Sequence, residues 1–300
     1  MNDPLQRLRC PHCREGKLVP TEEGALRCVA CTKISALENG VAALVADFGT
    51  HAAELERART INPLWYVEEQ LPEATSPWRH HLKKRRLYVQ KLLSNELKRR
   101  GTDKVPALLD LGCGDGNHLK WLSPYAEASY GCDYNMVRLA RARAQNPQAT
   151  IFLADILDFP AFDGSFDIIF FNHVIEHIRD DIRALQTVKR LLAPGGLLVL
   201  GTPNEGAWWW QLAYRRDPQS METTDHVHFY TAETLTERMR ATGLVIEEVH
   251  HMGWGPPDWR LDGRIRKYKI VDDAFEWFGR ALLPRQASSL YVAARPASVA

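Results

Sequence analysis

A glycine-rich loop with carboxylates on both sides stands in the stretch LLDLGCGDGNHL, residues 108–119. An apolar run enters it and an amphipathic segment leaves it, which predicts a strand, a turn and a helix. Backbone N–H groups converge on a ligand at such a turn. Gly112, Gly114 and Gly116 occupy alternate positions, whereas the dinucleotide fingerprint places its third glycine five residues after its first. The loop therefore predicts a cofactor other than a dinucleotide.

The charges around the loop indicate what that cofactor is. Asp110 and Asp115 would repel a pyrophosphate but suit a ligand with a positive charge. Asp133 ends the next apolar segment, 21 residues after Gly112, where a carboxylate can accept both hydroxyls of a ribose. These residues predict a site for a cationic nucleoside without phosphates.

Five motifs in this order and spacing resemble the class I S-adenosylmethionine-dependent methyltransferases. The motifs are LLDLGCGDG, the Asp of GCDYN, ADILDFP at 154–160, FDIIFFNHVIEH at 166–177 and LLAPGGLLVLGTPN at 191–204. The resemblance covers roughly residues 80–295 and implies S-adenosylmethionine as the cofactor. It also implies an α/β fold, a Rossmann-like seven-stranded sheet with helices on both faces.

The same resemblance implies roles for individual residues. Asp110, Gly112 and Gly114 would contact the methionine end of the cofactor, and Asp133 would bind the ribose. Asp155 would accept the adenine amino group, with Ile156 in the same site; the alternative for Asp155 is a solvated turn residue. Asn172 and His173 would lie beside the sulfonium.

Four cysteines near the start have the spacing of a metal site. Residues 10–31 read CPHCREGKLVPTEEGALRCVAC, with two C-x-x-C pairs separated by 14 residues. Cys10, Cys13, Cys28 and Cys31 would complete the tetrahedral sulfur shell of a structural Zn²⁺ and leave no position for a catalytic water. The following CTKISALENGVAALV resembles the tail of the small zinc-ribbon subunit that activates several methyltransferases, with Thr32 in place of the usual glycine.

Composition restricts the partners. The 38 basic and 37 acidic residues leave a net charge of +1, so no global field draws the protein to nucleic acid or membrane. No apolar run approaches the ~18 residues that span a bilayer, and the N-terminus has no apolar signal core. We expect a cytoplasmic protein, in which the cysteines are reduced, and expect Cys113 and Cys132 to be buried as small apolar residues.

The chain is expected to have three parts. They are a zinc-ribbon module at 1–47, a helical linker with a cofactor-covering helix at 48–104, and a methyltransferase domain at 105–300 with a lid insertion at about 203–228 and 253–288. The helix after Ser76 and Pro77 ends at Gly101 and carries a basic face, which either grips phosphates or is solvated. Apolar runs that alternate with helical stretches from residue 106 predict a parallel sheet, and SLYVAARP at 289–296 predicts a last, antiparallel strand.

Two histidine groups are candidates for catalysis. His173, Glu176 and His177 in FFNHVIEHI resemble the Glu-x-x-Glu-His segment of quinone-biosynthesis O-methyltransferases, where Glu176 and His177 would hold a divalent cation; a packing or capping role is the alternative. TTDHVHFYT offers His226 as the preferred base, with Asp225 and His228 beside it, and a purely structural histidine pair remains the alternative.

These features predict a methyltransferase that acts on a small-molecule acceptor, at oxygen. The three consecutive tryptophans in GAWWWQLAYRRD cannot all be buried on one face, so at least one should line a cavity or an exposed patch. The first alternative is an rRNA or tRNA base methyltransferase, which the basic helix would serve. The second is a non-catalytic scaffold that binds the cofactor. The sequence leaves the acceptor and the oligomeric state undetermined.

Overall fold

The apolar runs in the middle of the chain form strands that belong to two structural units. The computed structural model describes residues 3–61, 67–219 and 225–297. The first unit comprises Met1–Gln70, Thr102–Phe170 and Gln186–Gly196, and the second comprises Leu71–Gly101, Phe171–Leu185 and Leu197–Ala300. The elements β8 (Phe166–Asn172), α5 (Asp181–Leu191) and β9 (Leu192–Pro203) each begin in one unit and end in the other.

The first unit contains the cysteine module and a set of parallel strands. Its strands are β1 (Leu18–Pro20), β2 (Leu26–Cys28), β3 (Ala36–Glu38), β4 (Val41–Ala43), β5 (Val105–Leu111), β6 (Ala126–Asp133) and β7 (Thr150–Leu153). Its helices are α1 (Phe48–Ile61), α3 (Leu119–Leu122) and α4 (Met136–Gln145). β1 and β2 form an antiparallel pair, and β5, β6 and β7 are parallel neighbours.

The end of the cysteine module is built into this unit. β4 pairs in parallel with β7, with Ala42 opposite Phe152 and Ala43 opposite Leu153. Val41 and Ala43 of β4 share one apolar cluster with Leu139 of α4 and Ile151 of β7. β3 and β4 thus add two strands to the seven, β5–β11, that the fold class predicts.

The last strands of the chain, in the second unit, pair antiparallel. The remaining elements of this unit are α2 (Arg79–Arg100), α6 (Trp208–Arg216), α7 (Ala232–Ala241), β10 (Leu244–Met252), α8 (Trp259–Ile265), α9 (Lys269–Leu282) and β11 (Ser289–Pro296). β11 pairs antiparallel with both β10 and β9, which confirms the antiparallel last strand. The insertion at 253–288 contains the helices α8 and α9.

The alternating strands and helices that the sequence predicts from residue 106 onward are present, and β11 coincides with the predicted last strand at 289–296. β9 is the longest of the described strands and begins at Leu192, directly after α5. Cys113 and Cys132 are buried in the first unit, as expected of small apolar residues. Among the described residues, none of the helices combines the length and apolar character needed to span a bilayer. The three-part division into module, linker and domain stays a prediction.

Candidate functional site

The glycine loop follows β5 and is fixed to the end of β6. The N–H of Gly112 donates to the carbonyl of Cys132 at 2.8 Å. The N–H of Gly114 donates to Asp133 Oδ2 at 2.8 Å, and that of Asn135 donates to Oδ1 at 2.9 Å. Gly114 has a φ of 53°, in the left-handed region that favours glycine.

Asp110 places an unsatisfied carboxylate beneath this loop. Its side chain is buried, and Oδ2 has no hydrogen-bond partner in the described part of the chain. Burial raises the pKa of Asp110 well above its usual value, and the charge of Asp133 raises it further. Burial also raises the pKa of Asp133, although the N–H groups of Asn135 and Gly114 oppose this. Two such carboxylates fit a cationic ligand, whose charge would offset the cost of ionising them.

Asp115 has a structural partner. Its Oδ2 accepts from the N–H of Gln70 at 2.7 Å, and Arg141 Nη1 lies 3.0 Å from Oδ1. Of the two carboxylates that flank the glycines, Asp110 is therefore the one that can meet a cation. Asp155, the expected adenine ligand, is half-buried and caps a short 3₁₀ helix, Ile156–Asp158, by accepting from the N–H of Leu157 at 2.8 Å. The cofactor roles of Asp155 and Ile156 stay predictions.

Asn172 and His173 lie at the end of β8, in the second unit. Asn172 Oδ1 accepts from the hydroxyl of Tyr291 at 2.9 Å and from Arg85 Nη2 at 3.3 Å. His173 has a φ of 55°, in the left-handed region, and its N–H donates to the carbonyl of Gly201 at 2.8 Å. Burial lowers the pKa of His173, and the charge of Arg85 lowers it further, so this imidazole is neutral at pH 7.

Glu176, His177 and His226 come together in the second unit. One ligand atom from each of them lies within 4.8 Å of the others. Glu176 is buried, and its Oε2 accepts from the hydroxyl of Thr202 at 3.0 Å. The ring centroids of His177 and His226 are 4.7 Å apart. The structure thus joins the two histidine groups that the sequence shows as separate motifs.

A carboxylate orients each imidazole of this cluster. His177 Nδ1 lies 3.0 Å from Asp225 Oδ1, and His226 Nδ1 lies 2.6 Å from Glu205 Oε2. Burial opposes protonation of His177, but the hydrogen bond to Asp225 and nearby negative charges outweigh it and raise its pKa. Because the Nδ1 atoms face carboxylates, Nε2 is the atom each ring offers to a ligand or proton.

Glu205 is a site residue that sequence reasoning missed. It is buried, and it also accepts a hydrogen bond from the hydroxyl of Tyr214 on α6. The sequence placed Asp225 beside the presumed base, but the structure pairs Asp225 with His177 and Glu205 with His226. Its position directly after the TPN of the fifth motif was the available signal.

His228 is hydrogen-bonded to backbone carbonyl groups. Its Nε2 lies 3.0 Å from the carbonyl oxygen of Ile178 and 3.2 Å from that of Arg179. An Nε2–H that donates to carbonyls is not a base, so within TTDHVHFYT the geometry favours His226 for that role.

The tryptophan segment divides its three rings between environments. Trp210 is buried and donates to the carbonyl of Gln286 at 3.0 Å, and Trp209 donates to that of Gly255 at 3.0 Å. Trp208 is 56% exposed, which confirms that at least one ring of the segment is not buried.

The four cysteines of the N-terminal module gather at one point. Their sulfurs all lie within 4.8 Å of one another, and the Cys10–Cys31 and Cys13–Cys28 pairs are each 3.6 Å apart. Tetrahedral Zn²⁺ with bonds of about 2.3 Å would place its sulfurs about 3.8 Å apart, so the donor set fits this ion. N–H donors from Glu15 and Gly16 lower the pKa of Cys13 to about 6, whereas burial raises that of Cys10 to about 12.

Much of the basic face of α2 is engaged in ion pairs. Lys84 Nζ lies 2.7 Å from Asp272, Arg86 Nε lies 2.9 Å from Glu73, and Arg100 Nε lies 2.6 Å from Glu96. These charges hold the second unit together, which disfavours a phosphate-gripping role for the helix.

A family model described as a methyltransferase domain matches residues 79–249, which is more than half of the chain. The chain belongs to this methyltransferase-domain family. The predicted membership of a methyltransferase family and the predicted α/β fold are thereby confirmed.

Comparison with known proteins agrees with this membership. The chain is 27% identical over 167 residues to a Mycolicibacterium smegmatis protein named "Probable S-adenosylmethionine-dependent methyltransferase", covering 54% of this chain and 63% of the relative. It is 27% identical over 190 residues to a ubiquinone biosynthesis O-methyltransferase of Cereibacter sphaeroides, covering 57% and 75%. The chain thus spans less than two thirds of the length of the first relative.

A solved structure shares the fold. A chain of the complex that contains the Haloferax volcanii Trm112 methyltransferase activator aligns with a TM-score of 0.52 at 18% identity, covering 73% of this chain and 92% of that one.

Proposed function

We propose that this protein transfers a methyl group from S-adenosylmethionine to an oxygen of a small-molecule acceptor. The observation that carries the proposal is the His226–Glu205 pair, in which a buried carboxylate fixes the imidazole through Nδ1 at 2.6 Å. A sulfonium methyl is already activated, so the protein must position the acceptor and remove its proton. His226 Nε2 takes that proton, and Glu205 stabilises the resulting imidazolium.

The first unit would hold the cofactor. Asp110 meets the positive charge of the methionine end, with the backbone of Gly112 and Gly114 beside it, and Asp133 accepts the ribose hydroxyls. Asp155 and Ile156 would contact the adenine, while the cofactor roles of Asn172 and His173, which belong to the second unit, stay predictions.

Binding of a divalent cation is the second candidate function of the histidine cluster. Glu176, His177 and His226 offer one carboxylate and two imidazoles, a donor set that suits Zn²⁺ or another first-row metal. Such an ion, when bound, would polarise the acceptor oxygen. His226 would then be a ligand instead of a base, while Glu205 and Asp225 would orient the two imidazoles.

The cysteine module would bind one structural Zn²⁺ through Cys10, Cys13, Cys28 and Cys31. Four thiolates fill a tetrahedral shell, so this ion would have no catalytic position.

Oxygen as the methyl-accepting atom is supported by the name of one relative and by the histidine base. The Cereibacter relative is named as an O-methyltransferase, and a histidine base suits a hydroxyl, which must lose a proton. RNA is the less favoured acceptor because Lys84, Arg86 and Arg100 of α2 already pair with carboxylates. A non-catalytic scaffold is disfavoured because a protein that only binds the cofactor does not need an imidazole oriented by a buried carboxylate.

The test is methyl-labelled S-adenosylmethionine with extracts of the source organism, with label counted separately in small-molecule, RNA and protein fractions. We expect label in the small-molecule fraction. Label confined to RNA, or cofactor binding without turnover, would contradict the proposal.

His226→Asn should lower kcat by about 10²–10⁴-fold and leave the Kd of the cofactor unchanged, because a base acts on the acceptor. His80→Asn, on α2 outside the cluster, is the matched control. If the protein keeps full activity after metal removal, with no metal bound at the cluster, His226 is the base. If activity is lost on metal removal and is restored by added Zn²⁺ or Mn²⁺, the cluster binds a cation.

A further inference from the structure

Helix α9 is oriented with its polar side inward. Its buried positions are Asp272, Glu276 and Gly279. The opposite side exposes a stripe of large apolar side chains. These are Ile270 (84% exposed), Leu282 (73%), Trp277 (66%) and Phe278 (55%). A helix packed only by the hydrophobic effect would turn the other way.

Buried charges fix this orientation. Asp272 lies 2.7 Å from Lys84 Nζ and 2.9 Å from Arg266 Nε, and its side chain is fully buried. Glu276 Oε2 accepts from the N–H of Gly253 at 3.2 Å. Rotation of the helix to bury its apolar stripe would leave these carboxylates and cations without partners, at a large cost in free energy.

Close packing on the inner side adds to the constraint. Gly279 lies against the ring of Trp254, and any Cβ at this position would overlap that ring. The apolar stripe of α9 is therefore a stable feature of the second unit and requires an occupant from outside it.

Basic residues accompany the stripe at both of its ends. The exposed basic residues of the segment 258–285 are Arg260, Arg264, Lys267, Lys269, Arg280 and Arg285. The acidic residues of the segment that are not buried are Asp258 and Asp273. Asp273 pairs with Lys84 and Lys269, and Asp258 caps α8 by accepting from the N–H of Leu261. Arg280 pairs with Glu276, and Arg285 pairs with Glu233 of α7. Arg260, Arg264 and Lys267 have no carboxylate partner among the described residues, so the segment combines an apolar stripe with an excess of positive charge near the start of α9, in a chain whose net charge is only +1.

We propose that the α9 stripe docks on the surface of an anionic lipid bilayer. Large apolar and aromatic side chains enter the boundary between headgroups and acyl chains, while lysine and arginine contact anionic headgroups. Trp277 and Tyr268, the latter 59% exposed, are aromatic residues of the kind enriched at this boundary.

A second copy of the chain fits the same surface less well. Parallel pairing of two α9 helices would bring Arg264, Lys267 and Lys269 of the two copies together, whereas anionic headgroups would offset their charges. The inference goes beyond the proposed methyl transfer and does not depend on the identity of the acceptor.

The experiment is cosedimentation of the full chain with vesicles of phosphatidylcholine alone and of phosphatidylcholine with about a third phosphatidylglycerol. We expect binding to the anionic vesicles to be at least about tenfold tighter, and to weaken with salt. Ile270→Glu with Trp277→Glu should reduce that binding by more than tenfold. Leu87→Glu, a half-exposed position on α2, is the matched control and should bind as the native chain does.

A second variant separates charge from apolar contact and guards against misfolding. Arg264→Glu with Lys267→Glu should lose the preference for anionic vesicles while thermal unfolding stays unchanged. Equal binding to both kinds of vesicle, no binding to either, or an equal loss in Leu87→Glu would overturn the proposal. So would a lipid-free dimer that Ile270→Glu with Trp277→Glu converts to monomer, since the occupant would then be a second copy.

Discussion

At the scale of single residues, the molecule places carboxylates where burial works against their ionisation. Oδ2 of Asp110 is buried and has no hydrogen-bond partner among the described residues, and burial raises the pKa of Asp110. Such a residue destabilises the ligand-free protein and is useful only when a cation arrives. Two other carboxylates face histidines: Glu205 Oε2 lies 2.6 Å from His226 Nδ1, and Asp225, whose Oδ1 lies 3.0 Å from His177 Nδ1, raises the pKa of His177.

Asp110→Asn should therefore weaken cofactor binding without lowering the stability of the fold. The pKa of Asp110 is raised on folding, so the stability of the native chain is fully present at low pH and declines as pH rises through the raised pKa. The variant lacks this decline and should be at least as stable at pH 8, while its Kd for S-adenosylmethionine rises at least about tenfold. Thermal unfolding between pH 5 and 9 and calorimetric titration measure the two effects. An unchanged Kd would remove Asp110 from the cofactor site.

At the scale of elements, α2 shows why a charge pattern alone is ambiguous. Its basic face suggests a phosphate-binding surface, yet several of its cations pair with carboxylates of the second unit. Glu96, buried on the same helix, accepts from Arg99, Arg100 and Arg295 of β11. Burial opposes ionisation of Glu96, but the three guanidinium groups outweigh it and lower its pKa.

Glu96→Gln tests this junction of helix and strand. A carboxyl whose pKa falls on folding stabilises the protein above its unfolded pKa near 4.5, and this stability is lost as pH falls through the folded value. We expect a loss of about 1–3 kcal/mol in the free energy of unfolding at pH 7, since the cations are partly solvated, and a smaller difference below pH 4.5. Urea denaturation at both pH values measures it. Glu248→Gln, at an exposed position on β10, should change stability by less than about 0.5 kcal/mol; an equal loss there would contradict the account.

At the scale of the whole molecule, the cysteine module is continuous with the unit that contains the glycine loop. β4 pairs with β7, and Leu8 of the module forms a bridge with Ala161. The folding energy of a metal in the module would therefore support β7 and its neighbours as well as the module itself.

Cys13→Ser should accordingly lower the thermal stability of the chain by roughly 10 °C or more and abolish binding of one Zn²⁺. Hydrogen exchange at residues 150–153 should rise, because their neighbour β4 loses its support. His12→Asn alters an exposed residue between the first two cysteines and should keep both the ion and the stability. Native mass spectrometry and calorimetry measure these effects. Loss of Zn²⁺ without any change at β7 would show that the module folds independently.

The sequence alone determined the features that depend on neighbours in the chain. Alternating strands and helices, the glycine loop before Asp133 and the two C-x-x-C pairs follow from local periodicity, turn chemistry and ligand spacing, and they suffice for the fold class and the family. Residues such as Glu176 and His226 were recognisable one by one as candidates for chemistry.

Only the tertiary structure decided which of these residues meet. Glu205 lies beside His226, Asp225 beside His177, and Asp272 turns inward to Lys84 and Arg266. A local pattern cannot specify such pairs, because they depend on how distant segments pack and on the high cost of a buried charge without a partner. In α9 that cost exceeds the gain from burying the apolar side chains, so the hydrophobic stripe stays exposed.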